Sequence, residues 1–163
     1  MKYCYRCGTK LELKFLEHEG DIPFCSGCND YVFPIFSTAC SMIIIDKKNN
    51  KSLIVKQYNT GKYRLAAGYV NKGESAEETV IRELDEELGI KPSAIKPLRT
   101  HYYEKSNTLL INYLVLVDND FVNPNYEIDE YSWVGIAEAE SLLKEGSLAQ
   151  MFYRLFLEND YKE

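Results

Sequence analysis

The segment from Gly68 to Ile90 reads GYVNKGESAEETVIRELDEELGI. It holds seven acidic residues and two basic ones, Lys72 and Arg82, so most of the protein's net charge of −6 is concentrated here. Such a concentration indicates either a solvated helix face or a site for hard cations.

A loop over residues 68–74 and then a helix are predicted for this stretch. Ser75 is the expected N-cap, and Glu78 three residues later completes a capping box. Gly89 predicts the C-terminal end of the helix. Helical spacing predicts a buried stripe made of Val80, Ile81, Leu84 and Leu88. A different face gathers Arg82, Glu83, Glu86 and Glu87.

Three glutamates on one helix face repel each other by a few tenths of a kcal/mol per pair, that is roughly 0.2–0.5 kcal/mol. A neighbouring base or a divalent cation must offset this repulsion, and Arg82 is the base on the same face. Carboxylate oxygens suit Mg²⁺ or Mn²⁺, which also bridge to substrate phosphates. On composition alone, a solvated face and a cation site are equally good interpretations.

The spacing of the stretch resembles the Nudix box at every fixed position. Gly68 is followed after five residues by Glu74, and after seven more come Arg82-Glu83-Leu84, Glu86-Glu87 and Gly89-Ile90. Nudix hydrolases cleave nucleoside diphosphates linked to another moiety. The resemblance implies an α/β fold, an α/β/α sandwich with a mixed sheet.

The resemblance also implies a role for each box residue. Glu83 and Glu87 would bind two or more Mg²⁺ or Mn²⁺ ions, with Glu86 as a further ligand or as the base. The Gly68 carbonyl would complete the coordination, and Glu74 would hold Arg82 so that Arg82 orients the glutamates. Downstream, Glu127 in EIDEYSWV matches the family's further metal-binding glutamate. The alternative for Glu127 is a surface strand residue.

Four of the five cysteines lie in two Cys-x-x-Cys pairs, Cys4/Cys7 and Cys25/Cys28, separated by 17 residues. This spacing falls in the zinc-ribbon range, and four thiolates close a structural zinc site. Gly8 and Gly27 are expected to permit the tight backbone that such pairs need. The alternative is two disulfides. The sequence therefore predicts a zinc ribbon over residues 1–33 and a Nudix domain over 34–163, with Cys40 as a small buried residue.

Together, the ribbon, LAAGYV at 65–70 and GSLA at 146–149 resemble the NADH pyrophosphatase branch of the family. That resemblance implies that Tyr69 stacks on the substrate base and that Ala149 lines the same pocket, and it implies a homodimer. Tyr69 is equally readable as a core residue beside the sheet. The branch's Ser-Gln-Pro-Trp signature is replaced by HYYEKS at 101–106, where Tyr103 and its neighbours either form a ring-binding wall or complete the sheet. Which nucleotide is hydrolysed therefore stays open.

Strands are also predicted at 38–46, 52–58, 100–104, 109–117 and within 127–134, and helices at 137–144 and 148–158. The acidic composition argues against nucleic-acid binding, and we see no apolar run suited to a signal peptide or a membrane span, so a cytoplasmic location is expected. The small-molecule partner implied by the resemblance is a nucleotide such as NADH, NAD⁺ or ADP-ribose. The competing hypothesis is a non-catalytic Nudix-fold sensor whose ribbon contacts a partner, although the intact glutamate set favours an enzyme.

Overall fold

The computed structural model describes residues 1–161, whose contacts define one unit at Met1–Phe36 and a second that begins at Ser37. The boundary predicted from the sequence lay three residues earlier. Ser37 opens the second unit because its amide already donates to the carbonyl of Asn107, at 3.0 Å, and so belongs to the large sheet.

The first unit is a three-stranded antiparallel sheet with a very small core. Its strands are β1 (Glu12–Leu16), β2 (Gly20–Cys25) and β3 (Asp30–Tyr31), in the order β1-β2-β3. The fully buried residues at its centre are Cys4, Cys25 and Val32. A unit with so little buried apolar surface needs a crosslink or a metal to stay folded.

The second unit is built on a mixed sheet whose strands are β4 (Ser37–Asp46), β5 (Lys51–Gln57), β6 (Ala66–Tyr69), β7 (Ala94–Tyr103), β8 (Thr108–Val117) and β9 (Ile128–Gly135). Their order is β7-β8-β4-β5-β9, with β6 paired to β4. Only the β4–β8 pair is parallel among these pairings. One edge of β4 is shared, since β6 takes residues 39–42 and β5 takes residues 44–46. The two strands that share this edge bring their ends to the acidic helix.

Helices α1 (Ala76–Leu88), α2 (Ile136–Leu142) and α3 (Leu148–Asn159) cover the two faces of the sheet. Alternate residues of β4 enter different cores: Met42 and Ile44 pack with α1, and Ile43 and Ile45 pack with α2 and α3. The predicted α/β/α sandwich with a mixed sheet is thereby confirmed. Within residues 1–161 we find no helix with the length and apolar character needed to cross a bilayer.

Helix α1 has the predicted ends but a different buried face. Ser75 and Glu78 form the reciprocal capping box, and Gly89 caps the C-terminus with a φ of 63°. Val80, Leu84 and Leu88 are buried as predicted, whereas the prediction for Ile81 is wrong, because this residue is 49% exposed. The sheet-facing side is completed instead by two polar residues, Thr79 and Glu87.

Two strand boundaries also differ from the predictions. Gly68 and Tyr69 belong to β6 and not to the predicted loop, because they pair with residues 39 and 40 of β4. Strand β7 begins at Ala94, six residues earlier than predicted, although it contains Pro97. Proline is tolerated there because β7 is an edge strand and its register shifts between Pro97 and Arg99.

Candidate active site and metal centre

The acidic face of α1 opens onto a pocket of about 460 Å³ at the ends of β5 and β6. The residues lining it are Gln57, Tyr58, Arg64, Leu65, Ala67, Gly68, Tyr69, Asn71, Arg82, Glu83, Glu86, Glu87 and Glu127. A larger cavity of about 570 Å³ lies beside α3, but its one carboxylate, Asp160, is paired with Arg99. The acidic pocket is therefore the candidate site.

Gly68 is the point where strand β6 touches helix α1. A Cβ atom at this position would lie 2.0 Å from Cδ of Glu83, which is far closer than two carbons can approach. The φ of Gly68 is not in the left-handed region, so space and not backbone conformation requires glycine. The carboxylate of Glu83 is packed directly onto the strand, with its side chain 13% exposed.

Arg82 joins three glutamates and the backbone of β6. Its guanidinium donates to both carboxylate oxygens of Glu74, at 2.6 and 3.0 Å. One nitrogen donates to Glu83 at 2.8 Å and to Glu86 at 3.1 Å, and another reaches the carbonyl of Tyr69 at 3.2 Å. These bonds hold the pKa of Glu74 at about 2 and raise the pKa of Arg82. Arg82 therefore joins Glu74, Glu83 and Glu86 in one hydrogen-bonded network.

Within residues 1–161, Glu87 has no cationic partner, although its side chain is buried. The residue is 5% exposed, and its carboxylate accepts one hydrogen bond, from Nε2 of Gln57 at 3.1 Å. Burial is the main cause that raises the pKa of Glu87 to about 7, followed by the charges of Glu83 and Glu127. A buried carboxylate facing like charges costs stability unless a cation neutralises it.

Glu127 reaches the pocket from the turn before β9. Its carboxylate accepts a hydrogen bond from the hydroxyl of Tyr58 at 2.8 Å, and its amide donates to Asn125 at 2.9 Å. The amide of Asn125 donates in turn to the carbonyl of Glu87, which ties this turn to the end of α1. The structure thus brings Glu127 together with Glu83, Glu86 and Glu87.

Comparison with known proteins assigns the chain to a protein family. The sequence profile described as NUDIX domain matches residues 36–156, which is most of the chain. The chain belongs to the NUDIX domain family. The Nudix prediction made from the spacing of the box is confirmed.

The curated relatives of this NUDIX protein include NAD-capped RNA hydrolases. NudC of Vibrio parahaemolyticus is 26% identical over 154 residues, covering 92% of this chain and 57% of the relative. NudC of Pseudomonas aeruginosa is 25% identical over 159 residues, covering 96% and 55%. The human NAD-capped RNA hydrolase NUDT12 is 26% identical over 159 residues, covering 93% and 34%. The chain thus spans about half the length of the bacterial relatives and a third of the human one.

Solved structures show the same NUDIX fold. A NUDIX hydrolase from Nitrosomonas europaea matches with a TM-score of 0.62 at 19% identity, over 98% of this chain and 92% of that chain. The NUDIX domain of Shewanella oneidensis NrtR, solved as a complex with ADP ribose, matches with a TM-score of 0.65 at 18% identity, over 77% and 89%.

The NUDIX carboxylates fit a hard divalent cation by their chemistry. Glu83, Glu87 and Glu127 line one pocket together with Gly68, and Glu87 lacks a basic partner among the described residues. Their oxygens lie farther apart than the cysteine sulfurs. Within residues 1–161, the four cysteines are the one group of three or more Cys, His, Asp or Glu residues whose ligand atoms all lie within 4.8 Å of one another. An open carboxylate set suits Mg²⁺ or Mn²⁺, which keep several waters and share their ligands with phosphates.

The cysteine cluster of the first unit fits a tetrahedral ion. Its sulfur atoms are 3.4 Å apart for Cys7–Cys25 and Cys7–Cys28, and 3.9 Å apart for Cys4–Cys28. Ligands about 2.3 Å from a tetrahedral zinc are about 3.8 Å from each other. A disulfide needs about 2.05 Å, so the disulfide alternative does not describe this geometry, and all of these cysteines are free.

Backbone conformation supports both cysteine knuckles, in a way that differs partly from the prediction. Amides donate to sulfur in each of them, from residue 6 to Cys4 at 3.4 Å and from Cys28 to Cys25 at 3.3 Å. Gly8 is left-handed with a φ of 75°, but the corresponding residue of the second knuckle is Asn29 and not Gly27. Gly27 is required for space, since a Cβ there would lie 2.6 Å from Oγ1 of Thr9.

Among the predicted substrate contacts, only Tyr69 lines the NUDIX pocket. It is 59% exposed, so the alternative of a core residue is wrong. Ala149 lies in α3 and packs against the core between the sheet and helices α2 and α3. Tyr103 is the last residue of the edge strand β7 and is half-buried. The structure does not bring Ala149 or Tyr103 into the pocket lining, and their roles stay predictions.

Three pocket residues lie outside both LAAGYV and the box and were not predicted from the sequence: Gln57, Tyr58 and Arg64. One signal was available for Gln57, because the alternation of Leu53 and Val55 predicts an apolar residue at this position. For Tyr58 and Arg64 we find no such signal, since their neighbours in the pocket are set by the strand register and the following turn.

Gly68→Ala is expected to lower NUDIX turnover by about 100-fold or more while the domain stays folded. The new methyl group must displace the carboxylate of Glu83, which is the flexible end of a side chain, and not the backbone. Steady-state kinetics together with thermal unfolding would check this. Gly135→Ala is a useful control, because Gly135 has a φ of −58°, lies outside the pocket lining, and a Cβ there would meet only Glu138, at an ordinary contact distance of 3.7 Å. A loss of stability without a loss of turnover in Gly68→Ala would contradict the expectation.

Proposed function

We propose that the chain is a divalent-cation-dependent hydrolase that cleaves the pyrophosphate bond of a nucleoside diphosphate linked to another group. The observation that carries this is the convergence of four carboxylates, Glu83, Glu86, Glu87 and Glu127, in one pocket. A sensor would have no need for a buried, unneutralised Glu87, which costs stability.

The pocket residues have different proposed roles. Glu83, Glu87 and Glu127, with the carbonyl of Gly68, would hold Mg²⁺ or Mn²⁺. The ions would supply charge screening and a lowered pKa for an attacking water. Glu74 holds Arg82, which in turn orients Glu83 and Glu86. Glu86, with a side chain 59% exposed at the rim, remains a candidate for either ligand or base.

Substrate recognition rests on the wall that faces these acids. Tyr69 exposes its ring to the pocket and offers a stacking surface for a base. Arg64 also lines the pocket, and its guanidinium donates a hydrogen bond to Oγ1 of Thr60 at 3.1 Å. This guanidinium forms no ion pair with any described residue. A cation without a carboxylate partner suits a substrate phosphate.

The names of the relatives direct the choice of substrate toward NAD. The first candidates are therefore NADH, NAD⁺ and ADP-ribose, together with NAD-capped RNA, which the relatives' names include. The acidic composition still argues against nucleic acid, so we expect the free dinucleotides to be the better substrates.

A substrate panel with Mg²⁺ tests this proposal. NAD⁺, NADH, ADP-ribose and NAD-capped RNA would be compared by the nucleoside monophosphate released, with Glu83→Gln as the inactive control. We expect turnover of at least one dinucleotide, with kcat/KM higher than for the capped RNA. Tight binding of one member without turnover of any would replace the enzyme by a nucleotide sensor.

We also propose that the chain binds one structural zinc ion, is located in the cytoplasm and forms a homodimer. The four sulfur atoms have a spacing suited to zinc, and one zinc per chain is the expected metal content. Size measurement in solution tests the homodimer, and fractionation of the source cells tests the location.

A further inference from the structure

The end of strand β5 carries two adjacent side chains that each bind a different carboxylate of the pocket. Gln57 donates from Nε2 to Oε2 of Glu87 at 3.1 Å. Tyr58 donates from its hydroxyl to Oε2 of Glu127 at 2.8 Å. Glu87 comes from α1 and Glu127 from the turn before β9, so β5 links carboxylates of two separate elements.

Gln57 stands where the strand pattern calls for an apolar residue. Leu53 and Val55, four and two residues earlier, belong to the core beneath α1. Gln57 continues the same face and is 3% exposed. A buried side-chain amide destabilises the fold unless it is hydrogen-bonded, and the amide nitrogen of Gln57 donates to Glu87. Core packing does not account for this residue, whereas holding Glu87 does.

Tyr58 lies one residue beyond β5, and its backbone conformation directs its side chain. It has a φ of 57°, a conformation that is unfavourable for a side chain of this size, and it is 61% exposed. The pairing of Gln57 with Ile128 places Tyr58 beside Glu127. The following turn is anchored to β9 by the amide of Asn59, which donates to Asp129 at 2.6 Å. The strained turn therefore delivers the hydroxyl to Glu127.

Each donor occupies one oxygen of its carboxylate. Within residues 1–161, both bonds engage Oε2, and Oε1 of Glu87 and of Glu127 accepts no hydrogen bond. Glu127 is not on a helix, and within residues 1–161 the hydroxyl of Tyr58 is the one hydrogen-bond donor to its carboxylate. Outer partners of this kind typically change metal affinity or activity by about 10–100-fold when they are removed.

We propose that Gln57 and Tyr58 are positioning residues that set the spacing of the Glu87 and Glu127 carboxylates for the divalent cation. The inference rests on the proposed function, because it assumes that these two glutamates hold the cation. The pair acts together, since the last residue of β5 and the first residue of the following turn fix carboxylates that come from different parts of the chain.

The experiment compares Gln57→Leu, Tyr58→Phe and the double variant with Tyr63→Phe. Tyr63 is a matched control, because its hydroxyl also donates to a glutamate, Glu130, which does not line the pocket. Mn²⁺ affinity is measured by electron paramagnetic resonance of the free ion, and kcat and KM are measured with Mg²⁺ and NAD⁺. Thermal unfolding is followed by the fluorescence of Trp133, the single tryptophan.

Each single variant is expected to weaken Mn²⁺ binding by about tenfold and to lower kcat by a similar factor. The KM for NAD⁺ should stay within about twofold, because neither side chain is assigned to substrate binding. The double variant should lose more than either single variant, and Tyr63→Phe should match the wild type. A variant with lower stability but unchanged Mn²⁺ affinity would indicate a purely structural role and overturn the inference.

The wild type and Glu83→Gln separate this inference from the proposed function. If the wild type neither turns over NAD⁺ nor loses Mn²⁺ affinity on Glu83→Gln, the proposed function fails, and the inference fails with it. If Glu83→Gln has these effects but Gln57→Leu and Tyr58→Phe behave as Tyr63→Phe does, the inference alone is wrong.

Discussion

Glu87→Gln is expected to remove nearly all turnover and at the same time to make the NUDIX domain more stable. The substitution deletes a proposed cation ligand, for which we expect a loss of at least about 100-fold in kcat. It also removes a buried charge that faces the charges of Glu83 and Glu127. Loss of activity with a gain of stability is typical of a group kept for function at a cost to the fold.

The stability gain should depend on pH in a defined direction. The pKa of Glu87 rises from 4.5 to about 7 on folding, so the folded state holds the proton more tightly than the unfolded state. Ionisation therefore destabilises the native protein increasingly as pH rises from about 4.5 to about 7. The gain from Glu87→Gln should be absent below this window and complete above it, where it is on the order of 2–3 kcal/mol.

Thermal unfolding followed by Trp133, without added Mg²⁺ or Mn²⁺, would measure this gain across the window. Glu145→Gln is the matched control, since Glu145 is exposed and the same chemical change there should alter stability by less than about 0.5 kcal/mol. Equal stability of Glu87→Gln and the wild type at pH 8, or near-normal turnover, would contradict the expectation.

Zinc removal is expected to unfold Met1–Phe36 and to leave the sheet of the second unit intact. Only four residues of Met1–Phe36 are buried, namely Cys4, Phe24, Cys25 and Val32, and two of these four are proposed zinc ligands. Apparent zinc-binding free energies in small zinc modules are about 10–16 kcal/mol, which exceeds what such a core supplies. The proposed zinc is therefore expected to contribute most of the stability of this unit.

Cys25→Ser tests this by removing one ligand. Metal analysis should show about one zinc per chain in the wild type and much less in the variant. Hydrogen exchange should show lost protection in β1–β3 alone. Cys40→Ala is the control, because Cys40 lies in β4 outside the cluster and its replacement should leave the zinc content unchanged. Freshly purified wild type without zinc would refute the ribbon assignment.

The features that the sequence predicted well are those determined over short distances. The start and end of α1 follow from Ser75, Glu78 and Gly89, whose partners lie within four residues or so. The spacing of Gly68 to Ile90 likewise led to the family. In such cases the backbone hydrogen bonds that a residue can make are nearly fixed by its neighbours in the chain.

The features that were missed depend on contacts between distant segments. Tyr58 meets Glu127 only because β5 pairs with β9 in one particular register, which no local pattern specifies. Ile81 was placed in the core by its hydrophobicity, but the sheet meets the neighbouring side of the helix, where Thr79 and Glu87 are buried. Polar residues displaced an apolar one from this face because the site itself lies there.

The thiol of Cys40 is expected to be unreactive as long as the second unit is folded. It is fully buried in β4, and burial together with the charges of Glu77 and Glu83 raises the pKa of its thiol to about 11. Alkylating reagents attack the thiolate, so Cys40 is protected twice, by its inaccessibility and by its protonation. The other four thiols are all in the first unit. Alkylation of Cys40, located by peptide mass, therefore reports the opening of the second unit alone.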